Sequence, residues 1–124
     1  MTPDISFTEA ALGAAGLARK AGKCAVGTTQ TVEKMRSGEG KLLLVASDVS
    51  DGTFKRLKDT AHTYGVPLAR LDCTKTAVAA RIGKTADTTS LLILDDGFLR
   101  ILEKRGFPVE KDPERFQSMM EVQC

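Results

Sequence analysis

Apolar positions along this chain fall into two patterns that alternate. Leu42 to Ser47 and Ser90 to Leu94 are continuous apolar runs of strand length. Runs of that kind suit central strands buried on both faces. Between them, Phe54, Leu57, Ala61 and Tyr64 recur at helical spacing and predict a helix from Thr53 to Tyr64. Three more helices have readable starts and stops. Ser6 opens one to about Ala21, with Glu9 three residues on as in a capping box. Thr74 opens another through Arg81-Ile82, closed by Gly83, and Asp95 caps the last, Asp96 to about Lys104.

One more stretch organises the chain. Gly27-Thr28-Thr29-Gln30 leads into a short helical body that ends at Ser37-Gly38, with Val32 and Met35 turned inward. Thr28 is the expected cap. The short extended pieces Cys24 to Gly27 and Leu68 to Leu71 complete the pattern. Alternating helices and strands predict an α/β fold, a three-layer α/β/α sandwich with a mixed sheet of about four strands. Residues 1–105 are expected to form a single domain and 106–124 an acidic, mobile C-terminal tail, with one helical turn around Glu114 to Met120.

Composition narrows this picture. With five Phe, one Tyr and no Trp, the core must be aliphatic and alanine-rich. No apolar run reaches the length of a membrane span, and Met1-Thr2-Pro3-Asp4 does not open a signal peptide. Cys24, Cys73 and Cys124 are an odd, unpaired set, as expected of free thiols in a reducing cytoplasm. With His62 as the single histidine, no structural metal site and no cofactor are expected. A monomer is favoured. The net charge of +2 is uneven, because residues 1–105 hold 16 basic and 12 acidic groups and residues 106–124 hold two and four. A weakly basic body is compatible with nucleic acid.

Asp48, Asp51, Asp95 and Asp96 stand at strand ends or helix starts, where catalytic acids occur, but where helix caps are far commoner. The chain has neither a GxxxxGK[ST] phosphate loop nor a GxGxxG dinucleotide turn. No catalytic set converges, so no enzyme is expected. The binding reading rests on clustering: Arg19, Lys20 and Lys23 precede the first short strand, and Thr28, Thr29, Gln30 and Lys34 follow it. Gln suits a base edge, Thr hydroxyls suit phosphates, and lysines supply counterion-releasing contacts. The alternative is that Thr28 only caps its helix and Gln30 is merely solvated.

Leu17-Ala18-Arg19-Lys20-Ala21-Gly22-Lys23 followed by Gly27-Thr28-Thr29-Gln30-Thr31-Val32 resembles the kink-turn RNA-binding ribosomal protein family, of L seven Ae and L thirty e type. The chain looks most like its small bacterial YlxQ-type members. Further matches are Lys41 to Ser50, Tyr64-Gly65-Val66-Pro67, Ile82-Gly83-Lys84 and Asp95-Asp96-Gly97-Phe98, so the resemblance covers roughly residues 6–104. It implies the same sandwich fold and a non-catalytic, cytoplasmic, ribosome-associated RNA-binding protein. By that resemblance, Gly27, Thr28, Thr29, Gln30 and Glu33 would enter the widened groove of a kink-turn. The loop from about Asp72 to Val78, with Lys75, would pack on an extruded base, and Asp48-Val49 would lie beside both. Arg19, Lys20, Lys23 and Lys34 would contact phosphates.

The chain departs from the family at Thr29, where Asn or Lys is common, and at Glu33, where Lys is common. Val78-Ala79 stands in place of the usual Leu-Gly, and Asp72 adds a negative charge. These departures motivate a rival reading, a protein-interaction module of the same fold with weak or lost RNA affinity.

Overall fold

A computed structural model describes residues 6–109. The elements run α1 (Phe7–Lys20), β1 (Cys24–Val26), α2 (Thr28–Arg36), β2 (Leu42–Val45), α3 (Asp51–Thr63), β3 (Leu68–Arg70), α4 (Lys75–Arg81), β4 (Ser90–Ile93) and α5 (Asp96–Lys104). Of the tail expected over residues 106–124, residues 106–109 are described and pack on the domain, with Phe107 edge-on to Phe7 at 5.6 Å; residues 110–124, with the expected turn around Glu114, lie outside the described residues.

The two apolar runs become neighbours at the centre of the sheet. Strand order is β1-β4-β2-β3, with β2 and β3 parallel and the other pairs antiparallel. Leu42 pairs with Ile93, Leu43 with Leu92 and Leu44 with Leu91, and every residue of β2 and β4 is buried. Helices cover the sheet in two groups, α1 with α4 and α5, and α2 with α3. This is the expected three-layer arrangement. Its core is aliphatic, with Met35, Leu57 and Leu102 of three different helices fully buried on it. Gly40 lets the chain pass close to β4, since a Cβ there would stand 2.9 Å from the Leu92 side chain.

Local signals account for most boundaries, and the departures have physical causes. Ser6 accepts from the Glu9 amide at 3.1 Å, but the Glu9 carboxylate is taken by Arg81 at 2.6 and 2.7 Å. The third helix begins at Asp51, earlier than expected, because Ser50 caps it by accepting from the Thr53 amide at 3.2 Å. The strand expected to reach Ser47 stops at Val45, where the chain turns aside and the Ser47 amide donates to the Cys73 carbonyl.

The strand directions place the site. Val26, Val45 and Arg70 end their strands where Ser90 begins β4. Helices α2, α3 and α4 therefore all start at this one end of the sheet, and α5 starts at the other.

Candidate nucleic-acid interface

The start of α2 is held by a backbone device and a polar one. Gly27, not Thr28, is the N-cap residue, and having no side chain it makes no side-chain cap bond. Its φ of 90° and ψ of 160° lie in a region open almost only to glycine. That conformation lets the Gly27 amide donate to the Ser90 carbonyl at 2.9 Å while its own carbonyl accepts from Thr31 at 3.0 Å. The expected cap, Thr28, is freed for another task. Its hydroxyl meets that of Thr89 at 2.7 Å. Thr31, fully buried, donates to the Thr28 carbonyl at 3.0 Å and meets the Ser90 hydroxyl at 3.2 Å. Thr89 and Ser90 close the chain of hydroxyls at 3.4 Å. The first turn of α2 is thus clamped to the start of β4, and Thr29, Gln30 and Glu33 remain exposed on it.

Three loops are stitched to this corner. Ala46 donates to the Thr89 carbonyl at 2.9 Å, and Thr88 donates to the Lys75 carbonyl at 3.1 Å. Asp48 accepts from the Lys75 amide at 2.8 Å, so it helps Thr74 cap α4. Asp95 likewise accepts from the Gly97 amide at 2.8 Å. Two of the four carboxylates weighed as acids are therefore engaged as caps, while Asp51 and Asp96 stand in the first turns of α3 and α5.

Several anticipated contact residues face inward. Val49 and Val78 belong to the core, with Val78 at 1% exposure. Their side chains hold the loop and α4 in place and do not meet solvent. The loop over residues 83–89, which carries no contact residue expected from the sequence, meets the α2 start through Thr89. Its Asp87 accepts from the Thr76 hydroxyl at 2.9 Å, and its Lys84, Thr85 and Ala86 are exposed. The available signal was the hydroxyl-rich run Thr85, Thr88, Thr89 and Ser90 immediately ahead of a buried strand.

The structure also divides the expected cluster of cations. The Gly27 amide bonds the first residue of β4, whereas the Lys23 carbonyl accepts from Leu94, just past its last. Four extended residues, roughly 13 Å, separate the two ends. Lys23 in turn donates to the Ala18 carbonyl, which keeps it beside Arg19 and Lys20 at the far end of β1. The Arg19 guanidinium donates to the Ile82 carbonyl at 2.8 Å. Around the α2 start, Lys34 and Lys75 stand with Glu33, Asp48 and Asp87, and Lys34 pairs with Glu39 at 3.5 Å.

Neither described thiol is poised for chemistry. Burial pushes Cys24 up to about 11, and burial likewise raises Cys73. Among the described residues no group of three or more His, Cys, Asp or Glu could hold a metal ion, and no helix is long and apolar enough to cross a membrane.

A four-stranded mixed sheet between helical layers, with a clamped helix start between polar loops, defines a small α/β/α binding module. The chain belongs to the ribosomal protein L7Ae/L30e/S12e/Gadd45 family, whose model matches residues 9–103. It is 33% identical over 90 residues to the RNA-binding protein YlxQ of Enterococcus faecium, covering 73% of this chain and 84% of that protein. Large ribosomal subunit protein eL30 of Methanocaldococcus jannaschii is 29% identical over 82 residues, covering 66% and 74%. The Giardia lamblia 15.5kD RNA binding protein superposes with a TM-score of 0.68 at 15% identity, covering 83% and 87%, and so shares the fold.

Proposed function

We propose that this chain is a non-catalytic RNA-binding protein of ribosomal type that recognises a structured, kink-turn-like RNA. The reading surface is the clamped start of α2 together with the 83–89 loop, with Thr29, Gln30 and Glu33 turned to the base edges. Family membership and the RNA-binding names of its relatives support the general function. The observation that supports the particular surface is the hydroxyl chain from Thr28 to Thr31, which fixes an exposed helix start without using Gln30. A helix start held still presents amides and a two-ended side chain to a base at little entropic cost. Ribosome association and a cytoplasmic setting follow from the same reading.

Charge shapes how such a surface would bind. With two lysines against three carboxylates, directional hydrogen bonds rather than counterion release carry recognition here. Affinity for the kink-turn should depend only shallowly on salt. Arg19, Lys20 and Lys23 stand apart from this surface and would act on the RNA through their long-range field.

The test is a titration with a kink-turn RNA and a matched straight duplex at two salt concentrations. The protein should prefer the kink-turn, and Gln30→Ala should weaken that preference about tenfold, the worth of one good base contact. Equal binding to both RNAs, or none, would overturn the reading.

A further inference from the structure

We propose that the groove between α1 and α4 is a docking site for an acidic amphipathic helix of a partner protein. The groove holds about 410 Å³ and is floored by Leu12, Gly13, Gly16, Leu17, Ala80 and Ile82. Leu17 is 51% exposed, more than any other large apolar side chain among the described residues. An apolar side chain left in the open beside a concave surface marks a place where another molecule sits.

The glycines add an independent reason. Gly13, Gly16, Leu17 and Lys20 share one helical face by their spacing of three and four. Gly inside a helix destabilises it relative to Ala. A Cβ at Gly13 or Gly16 would meet nothing within 4 Å, so packing inside this chain does not require glycine at either place. What the missing Cβ atoms provide is an open helix backbone that a second helix can approach closely.

Charge selects the kind of helix. Arg19, Lys20 and Arg81 line the groove, while Lys23 and Lys84 sit in the adjoining turns, their amides bonded to Ala18 and Ala79. Glu9 holds Arg81, and Asp95 follows Leu94, whose amide bonds the Lys23 carbonyl. RNA phosphates would use the lysines but leave Leu17 and the glycine floor without a partner. An amphipathic helix with acidic flanks satisfies both, its apolar stripe on Leu17 and its carboxylates on the rim.

The experiment uses the full-length isotope-labelled protein and a synthetic helical peptide. That peptide carries Leu at an i, i+3, i+4, i+7 repeat and Glu on the flanks. A Lys-flanked counterpart and a straight RNA duplex are the controls. The acidic peptide should shift the amides of Gly13, Gly16, Leu17 and Gly83 and bind at least tenfold more tightly than the basic one. Leu17→Asp, at an exposed position, should abolish peptide binding while kink-turn affinity stays unchanged, which separates this inference from the RNA reading. Gly16→Ala should raise the melting temperature and weaken the peptide several-fold, opposite movements that a structural role would not give.

No shifts at these amides would overturn the proposal, as would unchanged peptide affinity in Gly16→Ala. So would duplex RNA shifting them at lower concentration than the peptide. The chain's own C-terminal segment is the remaining competitor. If changing Phe116, Met119 and Met120 together to Ser moves the same amides in the free protein, that segment is the occupant and the proposal fails.

Discussion

The start of α2 and the corner between α1 and α4 stand a few residues apart in sequence and are built on opposite principles. At the α2 start the geometry is fixed and the charge is nearly balanced. A glycine conformation and four hydroxyls lock the first helical turn to β4, leaving Thr29, Gln30 and Glu33 on a rigid support. At the α1–α4 corner Arg19, Lys20 and Arg81 line an apolar floor, with Lys23 and Lys84 in the adjoining turns. The first surface suits recognition by directed bonds. The second suits attraction and apolar burial. Strand β1 is the divider: its two ends bond opposite ends of β4, and that splits a run of cations and hydroxyls that looks continuous on paper.

The contrast is most easily broken at Gly27. Its replacement by Ala forces a side chain into a backbone region nearly closed to it, at a cost of about 1–3 kcal/mol. Urea unfolding should register that loss. Kink-turn affinity should drop at least tenfold, because the helix start moves, while the α1–α4 groove keeps its peptide.

Thr31→Val comes next. It removes a buried hydroxyl that joins the Thr28 carbonyl to Ser90, and should cost about 1–2 kcal/mol by the same measurement. An unchanged unfolding midpoint would mean that the hydroxyl chain does not clamp α2.

Glu33→Lys tests the charge half of the comparison. It should tighten kink-turn binding several-fold and steepen the salt dependence by about one phosphate contact. A slope that does not move would show that this helix face points away from the RNA backbone. The smallest effect is expected at the other corner, where Lys23→Ala should change kink-turn affinity by less than about twofold, since it lies the length of β1 away. A large loss there would mean that one continuous RNA surface runs over both corners.

Most of the element map was legible because it depends on neighbours in sequence. Ser6, Thr74 and Asp95 cap the helices that were expected of them, and both continuous apolar runs are the central strands. Thr28 was misread for an instructive reason. A threonine ahead of an amphipathic run fits a cap, but glycine at 27 can take a conformation threonine cannot, and Thr89, sixty-one residues away, claims the hydroxyl. Val49 and Val78 are expected at the RNA surface by the family resemblance alone, yet both are buried. Their burial depends on which helix lies over them, and no local pattern carries that. The 83–89 loop carries no contact role legible in the sequence, because the place of Thr89 beside α2 comes from the antiparallel course of β4.

By itself the sequence determined the elements, their order and the aliphatic character of the core, because turn chemistry, capping and apolar period act over a few residues. It also carried Gln30 and Glu33 on an exposed helical turn. Only the tertiary structure decided which polar groups share a surface. Strand pairing sets that, and pairing reverses or aligns segments regardless of their distance along the chain. So Gly27 and Lys23, four residues apart, serve different faces, and Thr28 and Thr89 serve the same one.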